Sequence, residues 1–148
     1  MQSWQSWEGY GIRVVREPEI LFPRTGVAKP QDAYEILKRQ LAWEDREIFA
    51  CVILDARNQV LGINTVSVGT LNASLVHCRE VFRPAILMGA ASIIVAHNHP
   101  TGDPTPSRQD LELTRRLRDA GEIIGIEMLD HLIIAADKFL SLKEGNCF

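Results

Sequence analysis

The run Ser92-Ile-Ile-Val-Ala-His-Asn-His-Pro100 restricts the fold more than any other stretch of the chain. Ser92–Ala96 is short, apolar and β-rich, which reads as a buried strand. Pro100 has no backbone N–H, so a hydrogen-bonded ladder stops there. Thr101-Gly-Asp-Pro-Thr-Pro106 is dense in turn formers and predicts an exposed loop. A helix is predicted to start at Ser107, with Leu111, Leu113, Leu117 and Ala120 as its apolar positions and Gly121 as its C-cap. A strand, a loop and a helix therefore follow one another without a gap.

Chemically capable side chains sit on this frame. Residues i and i+2 of a strand point to the same face, with a rise of ~3.3 Å per residue. His97 and His99 thus project side by side from the strand's C-terminal end, close enough for both rings to meet one metal ion. Asp110 falls in the first turn of the following helix, where its carboxylate can lean back toward the imidazoles. Two His and one Asp leave a tetrahedral divalent ion one open position, as a hydrolytic site needs. A plainer explanation stands beside this one: Ser107-x-x-Asp110 is also a capping-box pattern, and a histidine near an apolar strand is often only structural. The two can coexist, since Ser107 can cap the helix while standing at the rim of a site.

His97-x-His99-Pro100 followed by Ser107-x-x-Asp110 resembles the JAMM motif of the JAB/MPN metalloprotease superfamily. The segments Val68–Val76, Arg79-Glu-Val-Phe82, Ala96–Gly102 and Asp130-His-Leu-Ile-Ile134 resemble its RadC-type branch, and the likeness runs from about Pro30 to Leu142. The resemblance implies an α/β (α+β) JAB/MPN-like fold, a mixed β-sheet with helices packed on it in a cytidine-deaminase-like architecture. It implies Zn(2+) held by His97, His99 and Asp110, a glutamate upstream acting on water, and Ser107 helping to hold an oxyanion. Glu47 stands where the superfamily's catalytic Glu stands, at the junction of a helix predicted over Asp32–Trp43 and a buried strand over Ile48–Leu54. Its local setting, Glu44-Asp-Arg-Glu47, is by itself an ordinary solvated charge cluster, and Glu80 and Glu112 are the rival candidates. The implied reaction is hydrolysis of a peptide or isopeptide amide in a peptide or protein substrate.

Elsewhere, Asp55–Gln59 predicts a hairpin turn between the Ile48–Leu54 strand and a second over Val60–Gly69. Val81, Phe82, Ala85, Ile86 and Gly89 suggest a helix that Pro84 either kinks or begins. Ile124–Met128, His131–Ala135 and Phe139–Leu142 predict short strands separated by Asp-containing turns. His77 and His131 are read as structural. Residues 1–29 form an N-terminal extension, partly extended or disordered, in which Tyr10–Phe22 could add an edge strand and the tryptophans pack or stay disordered; residues 30–148 form the domain.

Composition narrows the function classes. The 148 residues can bury about 68–70 % of their unfolded surface as one domain. No apolar run reaches the ~18–20 residues of a membrane helix, and no charged n-region with a cleavage site stands at the start of the chain. A net charge of −3 gives no electrostatic case for direct nucleic-acid binding, and Arg115, Arg116 and Arg118 read as a solvated helix face. Three cysteines without CxxC spacing suit a reduced, cytoplasmic protein; a homo-oligomer is open. A DNA-associated repair or mobile-element factor is the second reading, since RadC-type proteins carry the label DNA repair. The helix-hairpin-helix-like region of longer members is expected to be absent, because only about 30 residues precede the JAB-like part. A non-catalytic MPN-type interaction module is the third, although such modules usually lack the ligands present here. An HNH nuclease does not fit, because both histidines share one strand, and no PCxxC of a deaminase follows.

Overall fold

A computed structural model describes residues 25–69 and 76–148. The readings made of Tyr10–Phe22 and the N-terminal tryptophans, and most of the Val68–Val76 segment, lie outside the described residues. Among the described residues the order is α1 (Pro30–Leu41), β1 (Ile48–Leu54), β2 (Val60–Val68), α2 (Cys78–Leu87), β3 (Ser92–Asn98), α3 (Arg108–Ile124), β4 (Glu127–Ala135) and β5 (Lys138–Ser141). The strands form one mixed sheet in the order β2-β1-β3-β4-β5. The β3–β4 pair is parallel and the others antiparallel, because α3 crosses between β3 and β4 whereas short turns join β1 to β2 and β4 to β5. The result is the expected α+β, JAB/MPN-like architecture.

β1 and β3 are buried along their whole length, so they read as continuous apolar runs. Their alternation nevertheless sorts two cores. Ala50, Val52, Leu54, Ile94 and Ala96 pack with Ala33, Leu37 and Leu41 of α1. Phe49, Cys51, Ile53, Ile93 and Val95 pack with Val81, Phe82 and Ala85 of α2 and with Leu113 and Leu117 of α3. α1 opens with Pro30 at its first position, and the Asp32 carboxylate accepts the Ala28 and Lys29 N–H groups. Residues just ahead of α1 already join the sheet: Gly26 bridges Gln59, and Val27 is buried in the α1-side core.

Four expectations are corrected. The first helix is shifted to Pro30–Leu41 and does not reach Trp43, which is exposed. Pro84 does not begin α2, which runs from Cys78 through it to Leu87. Gly121 is not the C-cap of α3. That position belongs to Gly125 at φ 82°, in the left-handed region that favours glycine. Gly121 lies inside the helix, where a Cβ would come 2.5 Å from the Ile126 carbonyl oxygen and 3.2 Å from the Phe82 ring; it is there so that helix and chain can approach. Finally, the strands expected over Ile124–Met128 and His131–Ala135 are one: the nine-residue β4 runs from Glu127 to Ala135 with Asp130 inside it, and Ile124 ends α3.

Candidate metal centre

Strand parity determines what each residue of His97-Asn98-His99 can do. Odd-numbered side chains of β3 face α2 and α3, so His97 continues the row of Ile93 and Val95 and is fully buried. His99 follows just past the strand end, its N–H still donated to the Ile134 carbonyl at 2.8 Å, and is half-buried. The site thus lies deeper than a strand tip would suggest. Asp110, in the first turn of α3, closes the group from the other side and is 4 % exposed. The Nε2 atoms of His97 and His99 are 3.0 Å apart. His97 Nε2 lies 3.2 Å from Asp110 Oδ1, and His99 Nε2 lies 3.3 Å from Asp110 Oδ2.

One ligand atom from each of the three side chains lies within 4.8 Å of the others, a spacing that a metal ion can gather. A tetrahedral zinc with Zn–N and Zn–O bonds of ~2.0–2.1 Å holds its ligand atoms ~3.3 Å apart. All three side chains are of the type that holds zinc, and among the described residues they are the one His/Cys/Asp/Glu group with converging ligand atoms. Electrostatics point the same way. Burial opposes ionisation of Asp110, but the hydrogen bonds that His97 and His99 donate when protonated, the charge His97 then carries and the Ser107 N–H outweigh it and hold the carboxyl far below the usual carboxylate range. The hydrogen bond to Asp110 raises the pKa of His99 against the opposing effect of burial; the Asp103 carbonyl and the charges of Asp110 and Glu47 add to the rise. The pocket therefore favours positive charge, which a proton or a metal ion can supply.

The rings are held from behind. His99 Nδ1 meets the Asp103 carbonyl at 2.7 Å, which makes Nδ1 the donor, so the neutral ring turns a bare Nε2 toward the triangle. His97 Nδ1 meets His131 Nε2 at 2.8 Å, and His131 Nδ1 meets Thr114 Oγ1 at 2.6 Å. Phe49 stacks on His97 and sets its edge against His131. His131 is fully enclosed, and burial first, then the nearby His97 charge, pushes its pKa well below the ordinary value. Its Nε2 is engaged with His97 behind the triangle, so it supports a ligand rather than joining the set. His77 is exposed at the N-cap of α2, away from the group.

Ser107 and Asp110 form the capping box as well as the rim of the site. The Asp110 N–H is donated to Ser107 Oγ at 3.1 Å, and the Ser107 N–H to Asp110 Oδ2 at 2.7 Å. The box fixes the carboxylate that faces the imidazoles, so helix capping and ligand placement are one arrangement. Glu47, part-buried immediately before β1, is near enough for its charge to act on His99. The rivals lie elsewhere: Glu80 pairs with Arg79 and Arg83, and Glu112 with Arg108.

Asn98, Thr114 and the bonding of His131 were not singled out by sequence reasoning. Asn98 points to the opposite face from its flanking histidines. Its Oδ1 accepts the Ile48 N–H at 2.6 Å, and its amide donates to the carbonyls of Arg46 at 2.8 Å and Glu44 at 3.3 Å. One buried amide thereby ties the segment bearing Glu47 to the strand bearing the histidines. The signal was present in the alternation itself, because a polar residue between two inward histidines must face a core and find partners there.

A central strand that hands two imidazoles to the helix following it, within a mixed sheet, is the design of JAB/MPN domains. The chain belongs to the RadC-like JAB domain family, which matches residues 27–147. It is 56 % identical over 123 residues to a UPF0758 protein of Moorella thermoacetica, covering 83 % of this chain and 54 % of that protein. It is 50 % identical over 121 residues to one of Desulfitobacterium hafniense, covering 82 % and 53 %, and 49 % identical over 140 residues to one of Listeria monocytogenes, covering 95 % and 61 %. The chain thus spans about half the length of the curated relatives it matches. Among the described residues no helix is long and apolar enough to cross a membrane.

Proposed function

We propose that this domain is a zinc-dependent hydrolase of JAMM type that cleaves a peptide or isopeptide amide bond in a protein or peptide substrate. One observation carries the reading: the Nε2 atoms of His97 and His99 lie 3.0 Å apart, each stands 3.2–3.3 Å from one oxygen of the Asp110 carboxylate, and the three side chains are held by their own supporting hydrogen bonds. His97, His99 and Asp110 would hold the metal. Zinc there would supply Lewis acidity, polarising the amide carbonyl and easing deprotonation of water near neutral pH. Glu47 is assigned the proton: its carboxylate takes it from the attacking water and returns it to the leaving amine. Ser107 is exposed at the rim. Its hydroxyl can accept the Asp110 N–H through a lone pair while donating its own proton to a substrate oxyanion. The three cysteines Cys51, Cys78 and Cys147 are all free, in keeping with a reducing cytoplasmic setting.

The test is a zinc titration of the chelator-treated full chain by calorimetry, followed by peptide- and isopeptide-linked fluorogenic amides. The reading requires one zinc per chain and amide hydrolysis that EDTA abolishes and zinc restores. Absence of a stoichiometric zinc site would overturn it.

A further inference from the structure

His97 and His99 have their free nitrogens preset by different means. For His99 the acceptor is a loop carbonyl, that of Asp103. For His97 it is another histidine, and an imidazole nitrogen can be either donor or acceptor. Something must therefore fix the polarity of the His97–His131 contact. The next link does so. Thr114 Oγ1 donates its single proton to the Asp110 backbone carbonyl at 2.7 Å. With that proton committed, the hydroxyl can only accept at its 2.6 Å contact with His131, so His131 Nδ1 carries the hydrogen. In its fully enclosed position His131 then presents a bare Nε2, which accepts the His97 Nδ1–H at 2.8 Å. In the neutral ring, His97 Nε2 is then left bare, facing Asp110 and His99.

Resting on the metal reading above, we propose that His131 and Thr114 are positioning residues for the metal, a relay that sets His97 as the Nδ1–H tautomer and turns its Nε2 lone pair into the site. The relay closes on itself. It begins at the backbone carbonyl of Asp110, the residue whose carboxylate completes the ligand triangle, and runs through the residue one turn later on α3, across to β4 and back to β3. Helix and strands are thus locked in the relation that the ligand set requires, and the polarity of the ring is set by one hydroxyl. Because, among the described residues, Thr114 and His131 reach the site through Asp110 and His97, their loss should act on metal retention rather than on chemistry alone.

The experiment combines nitrogen-15 NMR of the histidine rings with zinc titrations of the full chain. In the metal-free wild-type protein both His97 and His131 should carry hydrogen on Nδ1; a bare Nδ1 on either ring would overturn the relay, whatever the zinc result. Thr114→Val, nearly isosteric, should weaken zinc binding about 10–100-fold, and Thr114→Ser should restore it to within a few-fold. Leu37→Ala, in the core on the other face of the sheet, serves as the control: it should lower the unfolding temperature without changing zinc affinity. Unchanged affinity in Thr114→Val, or an equal loss in Leu37→Ala, would reduce the relay to ordinary packing. Should the valine variant fail to fold, the ring assignments in the wild-type chain still decide. Wild-type protein that binds no zinc, yet shows both Nδ1–H rings, would sink the metal reading and leave the hydrogen-bond polarity standing.

Discussion

Asp110 and Asp130 are equally buried, each 4 % exposed, yet their surroundings differ in kind. Asp130 is saturated by its own chain: Oδ1 accepts the His131 and Lys143 N–H groups, Oδ2 accepts the Ser141 hydroxyl, and Ser141 Oγ in turn accepts the Glu144 N–H. Donors meet acceptors there, and the group needs nothing further to fasten the chain leaving β5 back onto β4. At Asp110 one backbone N–H reaches Oδ2, and each oxygen faces an imidazole Nε2, at 3.2 Å for His97 and 3.3 Å for His99, so that a proton or a metal ion must lie between them. With both rings neutral and hydrogen on Nδ1, acceptors there converge on acceptors. A buried polar group closed by donors is architecture, and one left with converging lone pairs calls for a cation.

The sharpest way to break this contrast is to neutralise each carboxylate. Asp110→Asn keeps an oxygen for the helix cap but removes the anionic ligand. Zinc affinity should fall by more than the ~10–100-fold typical of losing an outer hydrogen bond, and hydrolysis should vanish with it. Asp130→Asn should cost about 1–3 kcal/mol of stability through mismatched donors while leaving zinc stoichiometry unchanged. Metal analysis beside thermal unfolding reads both, and zinc loss in Asp130→Asn with retention in Asp110→Asn would invert the assignment. Glu47→Gln comes next: zinc stays, and the rate on an amide substrate drops by ~10²–10⁴-fold. Full activity in that variant would remove Glu47 from the chemistry. Ser107→Ala should keep zinc, lose rate, and cost ~1 kcal/mol through the lost cap oxygen; denaturant titration and single-turnover kinetics measure the two parts.

The smallest effect concerns pH in the metal-free protein. The pKa of His99 is raised above its ordinary 6.5 by Asp110, so its contribution to stability is complete below pH 6.5 and disappears as pH rises through the folded value. Asp110 is shifted down from 3.8, so its contribution is present above that pH and is lost only in strong acid. Unfolding temperature of EDTA-treated protein should therefore decline as pH rises from 6.5. Zinc affinity should climb over the same range, because no proton has to be displaced. Parallel rather than opposed trends would mean that His99 and the metal do not share a position.

The sequence made the site more legible than its supports. His97, His99 and Asp110 could be placed because a two-residue period, a proline stop and a helix start are local signals, and each survived folding. Pattern alone pointed Glu47 nowhere; the family resemblance selected it, and the geometry that brings it toward His99 comes from Asn98, fifty residues beyond Ile48 in the chain. Asp130 misled because aspartate is usually a turn former, while here the Ser141 hydroxyl and the backbone N–H groups of His131 and Lys143 satisfy it inside a strand. The choice of Gly121 over Gly125 failed for a related reason. Two glycines four residues apart look alike to a capping rule, and only the approach of Ile126 and Phe82 shows which one fills the gap. The Thr114–His131 relay was invisible because it links α3, β4 and β3 through contacts no sequence period encodes.

Zinc K-edge X-ray absorption of the zinc-loaded full chain tests the central claim most directly. Four-coordinate zinc with light-atom ligands at ~2.0–2.1 Å and the outer-shell scattering of two imidazoles is the predicted spectrum, lost in the double variant His97→Ala, His99→Ala. A sulfur shell at ~2.3 Å, or a spectrum unchanged in that double variant, would place the metal elsewhere and contradict the account.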